Sequence, residues 1–310
     1  MSTSGTAAFN LDLNDLFEEA FERCGKQLRS GYDFRTARRS MNLLTIEWAN
    51  RGINLWTIEQ GQIVMNTGQA LYALPVDTID LLDCVTRTYN GQQTNQIDIN
   101  VSRISESTYM SIPNKNATGR PIQFWVDRQT GDLPTYQTTS LDGPISATDT
   151  TITLTSVANL STTGFIKVGN EIIAYQNIVG NQILNAWRGQ NGTTAVPHIT
   201  ISPVYQYKLP CVNVWPTPNP PGDQYTFVYY RMRRMQDAGN GTNTQDIPFR
   251  FIPCMVAGLA YHLSVKLEGV DPNRVGLLKA EYEQQFQLAA DEDREKASIR
   301  FVPRNLMMYR

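Results

Sequence analysis

The chain has 310 residues, enough for one large or two moderate domains with cores of their own. Apolar residues make up 41% and charged residues 18%, a globular balance, and an aromatic share of 10% favours β structure or large contact surfaces. A net charge of −2 carries no overall basic excess of the kind that grips DNA phosphates, although it leaves a local basic patch open.

In chain order, MSTSGTAAFN has neither a basic n-region nor an apolar core, so no secretory signal is expected. No apolar run approaches the ~20 residues of a membrane span, and the expectation is a soluble protein made in a cytoplasm, with no membrane partner. Residues 11–30 predict a first helix, with Leu13, Leu16, Phe17, Ala20, Phe21 and Cys24 on one face and Gly31 ending it. A second helix is expected over 33–51, capped by Asp33 and stopped at Gly52. Ala37, Met41, Leu44 and Trp48 share its apolar face, and the two helices suggest an antiparallel hairpin. Arg35, Arg38 and Arg39 lie on the other face. They read either as a solvated face or as a candidate inter-subunit face for an acidic neighbour.

From Trp56 the period becomes that of strands. Gln62–Met65 and Ala70–Leu74 read as strands around a turn at Asn66–Gly68, and Leu81–Tyr89 pairs with Ile97–Val101 across Asn90–Gly91. Ser105–Ile112 is a short helix or turn, and Ile122–Asp127 an aromatic strand. Between Ser140 and Pro203 the only charged residues are Asp142, Asp149, Lys167, Glu171 and Arg188, and short alternating segments are separated by glycine turns. Pro134–Gln137 and Pro203–Gln206 look like paired entry and exit strands, so 140–203 reads as a small all-β domain inserted into a surface loop. The host resumes with Cys211–Trp215, a proline-rich turn over 215–222 and the strand Tyr225–Arg231. Arg231, Arg233 and Arg234 then meet Asp237. Helices are expected over 251–268 and 272–296, the second started by Asp271-Pro272. Residues 297–310 form an arm, in which Arg300, Phe301, Arg304, Met307, Met308, Tyr309 and Arg310 combine charge with apolar bulk for docking.

The expected fold class is α+β. A helical bundle from the N- and C-terminal helices joins an antiparallel β region, with 1–139 and 204–310 as the host domain. Chemistry is hard to find. Cys24, Cys84, Cys211 and Cys254 are far apart and read as buried thiols, and with His198 and His262 alone no zinc pattern can be written. For both histidines a structural use outweighs a catalytic one, with no partner in local reach. Asp237–Asp246 superficially resembles a calcium loop but has glycines where ligands belong. No nucleophile elbow, phosphate-binding loop or HExxH motif is present, so catalytic, cofactor and metal residues are expected to be none.

Several segments together resemble the head-to-tail adaptors of short-tailed bacteriophages, the tail tubular protein A or gp4-like group. They include Phe21–Gly25, Ala37–Ser40, Glu47–Gly52, Tyr72–Pro75, Gly119–Pro121, Tyr229–Arg231, Asp237–Gly239 and Pro253–Tyr261, in order along the host. The segment from Gly164 to Tyr175 and that from Arg188 to His198 resemble a small β-module of phage structural proteins. The resemblance implies a non-enzymatic virion protein of the tail or neck, assembled in the host cytoplasm as a ring of twelve below the portal. Its implied partners are its own copies, the portal protein, a nozzle protein like tail tubular protein B and tail fibres, the last through 140–203. Double-stranded DNA would pass through without sequence recognition. A wall-degrading tail enzyme and a DNA-binding module using Arg231, Arg233 and Arg234 are the alternatives.

Overall fold

The computed structural model describes residues 5, 9, 11–92, 94–129, 131–219, 225–240 and 242–294. It is mixed α+β and forms two compact units. One joins the chain ends, up to Thr57 and from Met235, and the other is Ile58–Arg234. The helices are α1 Leu13–Arg23, α2 Gly31–Arg51, α3 Glu106–Met110, α4 Ile252–Ser264 and α5 Pro272–Glu292.

In the unit of the chain ends, α4 is the hub. Its residues from Cys254 to Ala260, with Leu263 and Ser264, are buried, and α1, α2 and α5 all pack on it. The predicted stripes meet there: Leu13, Leu16, Phe17 and Ala20 of α1, Ala37, Met41, Leu44 and Trp48 of α2, and Leu278, Tyr282 and Phe286 of α5 share one core. The expected α1–α2 hairpin is a slighter association than either helix makes with α4. Several helix boundaries differ from expectation: α4 ends at Ser264 rather than at 268 and α5 at Glu292 rather than at 296, and both N-terminal helices start or stop elsewhere. Helix α1 is capped by Asp12 and ends at Arg23, with Gly25 at φ 72°, so Gly31 is not its stop but the first residue of α2. Asp33 is not the cap of α2. Ser30 is the cap, its Oγ accepting from Asp33 N at 3.2 Å while Asp33 Oδ2 accepts from Ser30 N at 3.1 Å. This is a reciprocal capping box, which satisfies two backbone donors at once.

Gly258 sits where α4 crosses α2 and α5. A Cβ there would lie 2.8 Å from Tyr282 Cε2 and 2.9 Å from Leu44 Cδ1. Gly258→Val is expected to destabilise this unit by about 1–3 kcal/mol through overpacking, read as a fall in the urea midpoint at unchanged slope.

In the other unit the strands are β1 Ile58–Val64, β2 Leu71–Ala73, β3 Thr78–Thr88, β4 Ile97–Asn100, β5 Ser102–Arg103, β6 Thr118–Gly119, β7 Gln123–Asp127, β8 Thr139–Ser140 and β9 Ile152–Thr153. They continue as β10 Gly164–Val168, β11 Glu171–Tyr175, β12 Asn177–Val179, β13 Gln182–Leu184, β14 Pro203–Tyr207, β15 Cys211–Trp215, β16 Thr217–Pro218 and β17 Thr226–Arg233. One sheet runs β1-β17-β3-β4 and a second β2-β15-β7-β5. Phe124, Val126, Val212 and Val214 of the second pack with Leu81, Phe227 and Tyr229 of the first. A short parallel pair joins β16 to β6, and the Trp215–Pro216 peptide is cis.

The expected β3–β4 pairing forms, with Thr88 opposite Ile97, but Asn90 and Gly91 lie within a longer connection rather than forming a two-residue turn. The expected β1–β2 pairing does not form. β1 pairs with β17 and β2 with β15, because each partner, far off in sequence, covers one face of a shared core.

Residues 139–207 contribute the sheets β11-β10-β14-β8 and β12-β13-β9. Their shared core includes Leu141, Ile152, Leu154, Ile166, Ile173, Tyr175, Ile183 and Val204. The entry and exit segments do pair, but at Thr139–Ser140 against Pro203–Val204, so Pro134–Gln137 lies outside the ladder. β11, expected to alternate, is buried along its whole length. Ile173 and Tyr175 face the core just described, while Ile172 and Ala174 pack with Leu71, Phe165, Leu209 and Cys211.

Candidate interaction surfaces

The surface expected on α2 is exposed. Tyr32, Arg35, Arg39, Leu43 and Ile46 follow one another at steps of three or four, a stripe on the side away from the buried Ala37, Met41, Leu44 and Trp48. Tyr32, Leu43 and Ile46 are 65%, 54% and 58% exposed. Arg38 flanks the stripe. Arg35 Nε donates to Gly31 O and Arg39 Nη2 to Thr36 Oγ1, both at 3.3 Å. Among the described residues no carboxylate pairs with Arg35, Arg38 or Arg39. Arginine and large apolar side chains in one patch are the composition of contact surfaces, in which a buried apolar centre is ringed by charge. The arm residues Arg300, Phe301, Arg304, Met307, Met308, Tyr309 and Arg310 lie outside the described residues.

The groups that would carry chemistry are tied into packing. His198 does have a partner, brought by the fold from far along the chain: its Nε2 lies 2.8 Å from Glu171 Oε2. Glu171, 1% exposed, also accepts from Arg188 Nε and Nη2, both at 2.7 Å, and from the backbone N of Gly189 and Val196. Arg188 reaches on to the carbonyls of Ser146 and Val196. Burial pushes the Glu171 pKa up, but the hydrogen bonds from Arg188, His198 and Val196 outweigh it, and the carboxyl titrates below the ordinary range. One carboxylate thereby ties β11 to the loop that carries Arg188, Gly189, Val196 and His198. The sequence clue lay in Glu171 and Arg188 being two of the few charges of this segment, both inside the stretch that resembles a phage β-module.

His262 likewise lies 3.0 Å from Glu47 Oε2. Glu47 Oε1 accepts from Tyr282 Oη at 2.9 Å and Arg51 Nη1 at 3.2 Å, and the indole N–H of Trp48 donates to Tyr282 Oη at 3.2 Å. This network seams α2, α4 and α5 together. Burial pushes the Cys24 thiol up to about 11 and those of Cys84 and Cys254 up to about 12, so these thiols stay protonated and inert near neutrality.

Of the three arginines offered for DNA binding, Arg231 and Arg233 are engaged too. Arg231 pairs with Glu59 at 2.9 Å and Asp77 at 2.6 Å, and Arg233 with Glu59 at 2.6 Å, rather than with Asp237. At the end of the stretch that superficially resembles a calcium loop, Asp246 Oδ2 accepts from Gln236 N and Asp246 O from Trp56 Nε1. Among the described residues no group of three or more His, Cys, Asp or Glu is placed to hold a metal ion. No helix among them is long and apolar enough to cross a membrane.

A cleft of about 550 Å³ lies in the β-rich unit between α3, β7 and β15 on one side and β10 and β14 on the other. Tyr109, Trp125 and Tyr207 line it with amide and hydroxyl side chains, and its carboxylates are Glu106 and Asp127. No histidine lines it.

Buried polar groups brace the fold, and α2 keeps an exposed stripe of apolar and cationic side chains whose composition suits a contact surface. Comparison with known families agrees: the model described as SU10 adaptor protein matches residues 123–305, more than half of the chain. The chain belongs to that family and is a phage structural adaptor, associated with the virion. No curated protein matches it.

Proposed function

We propose that this adaptor is a head-to-tail connector of the tail tubular protein A type. It assembles as a ring, of twelve copies by that resemblance, below the portal, extends the DNA channel and carries the tail nozzle and fibres. The observation that carries this reading is the α2 stripe: three guanidinium groups with no ion-pair partner among the described residues, set among three exposed apolar side chains. Copies in a ring need a contact between two different surfaces, and an exposed charged and apolar stripe suits one half of it. Region 140–203 is, in this reading, an inserted β-domain that meets tail fibres, and residues 297–310 are the arm that docks on the portal. A net charge of −2 suits a conduit through which DNA slides without sequence recognition. With Arg231 and Arg233 already paired to acids, a DNA-gripping module is less well supported.

The test is co-sedimentation with purified portal. The full chain is expected to sediment with it, and a chain truncated after residue 299 to bind at least about tenfold more weakly, a loss of some 1.4 kcal/mol. Equal binding by both would remove the arm from the account. No binding by the full chain would remove the connector role.

A further inference from the structure

We infer that the acidic groove beside α1 is the seat for the α2 stripe of a neighbouring copy of this chain. The inference rests on the ring reading above and names the two surfaces that would join in it.

Asp15, Glu18, Glu19 and Glu22 stand on one exposed face of α1, at helical spacing. Glu19 is neutralised by Arg23 at 2.9 Å, and Arg23 also reaches Glu281 at 2.7 Å. Asp15, Glu18 and Glu22 have no cation paired with them among the described residues. These carboxylates rim a groove of about 470 Å³ whose apolar lining is Leu11, Ile252, Pro253 and Val256. The groove thus offers what the α2 stripe lacks. Three unpaired carboxylates answer the unpaired Arg35, Arg38 and Arg39, and an apolar lining answers Tyr32, Leu43 and Ile46.

Each surface alone carries unrelieved repulsion. Glu18 and Glu22 are like charges four residues apart, as are Arg35 and Arg39, and each such pair opposes its own helix by about 0.2–0.5 kcal/mol. A partner of opposite sign removes both penalties. Both surfaces lie on the unit of the chain ends, so every copy carries one of each, as a head-to-tail contact requires. An exposed ion pair contributes only ~0–1 kcal/mol, so the apolar contact supplies the affinity and the charges set register and association rate.

The experiment uses three full-length variants, with native mass spectrometry on the portal and far-UV circular dichroism to confirm folding. One is Arg35→Glu with Arg39→Glu, the second Glu18→Arg with Glu22→Arg, and the third carries all four changes. Each double variant alone is expected to associate at least about 100-fold more weakly than the parent, since like charges then face each other. An equimolar mixture of the two doubles is expected to regain assembly, each kind alternating with the other, and the fourfold variant to assemble alone. Should a charge reversal disturb folding, Arg35→Gln with Arg39→Gln keeps the test and is expected to weaken association without rescue by mixing. Parent-like assembly of either double variant overturns the pairing, as does failure of the folded mixture and of the fourfold variant. If the parent chain itself never forms a ring, the connector reading falls and the pairing falls with it. A parent ring indifferent to all the reversals overturns the pairing alone.

Discussion

Replacing Glu171 by Gln is expected to lower the stability of the β-rich unit by about 3–5 kcal/mol, the usual effect of removing one partner from a buried pair. The Glu171 carboxylate is fully buried and takes five hydrogen bonds: two from Arg188, one from His198 and two from backbone amides. Glutamine keeps the shape but not the charge, and its amide turns two donors towards groups that donate. Arg188, with a side chain 6% exposed, is then a buried cation without its counter-charge. Chemical denaturation followed through Trp187, whose backbone bonds Ala174 of β11, reads the effect where it arises. Removing both charges, as Glu171→Met with Arg188→Met, is expected to lose less than Glu171→Gln, because no orphan charge remains. The depressed pKa of Glu171 adds a sign. Its contribution is complete above its ordinary value of 4.5 and is lost as pH falls through the lower folded value. Stability of this unit that is flat between pH 6 and pH 3, and indifferent to Glu171→Gln, would contradict the role given to the network.

Trp48→Ala is expected to destabilise the unit of the chain ends by about 3–5 kcal/mol, the range for truncating a fully buried tryptophan. The indole is 0% exposed and packs edge-on to Phe251, with ring centroids 6.3 Å apart. Its N–H donates to Tyr282 Oη, which in turn donates to Glu47, so the cavity would open beside a hydrogen-bond chain linking α2 and α5. Trp48→Phe separates the two effects. It keeps most of the packing, removes one donor, and is expected to lose about 1 kcal/mol. Equal losses for the two substitutions, read from denaturant midpoints, would mean that the hydrogen bond and not the volume dominates.

The helices were legible because one period of apolar residues sufficed. Ala37, Met41, Leu44 and Trp48 were placed on one face by spacing alone, and all four are buried. The start of α2 was readable but misread: Ser30 followed three residues later by Asp33 is a capping-box pattern, and the acid drew attention from the serine. Strand pairing was not legible, because alternation shows that a strand has two faces but not which strand lies beside it. β1 finds its partner in β17, more than 160 residues on, where no turn chemistry records the meeting. β11 hid its nature in the same way: Ile172 and Ala174 look like an outer face until the apolar residues around β2 and β15 cover them. The Glu171–Arg188–His198 cluster left only the sparse charges of its segment as a clue, since its members come together only in the fold. The family resemblance, by contrast, was carried by scattered short segments, and the family model confirms the adaptor class across 123–305. For the contact surfaces, the cations of α2 were noted in the sequence. That Asp15, Glu18 and Glu22 of α1 lack paired cations among the described residues emerged only from the folded chain.

The central claim is that this adaptor acts by forming a ring on the portal. The most direct measurement is the native mass of the purified chain, alone and with its portal, alongside negative-stain images of the mixture. The account predicts a single closed ring, coaxial with the portal, whose mass is a whole number of 34.9 kDa subunits. A chain that stays monomeric beside the portal, with portal particles unchanged, would contradict it.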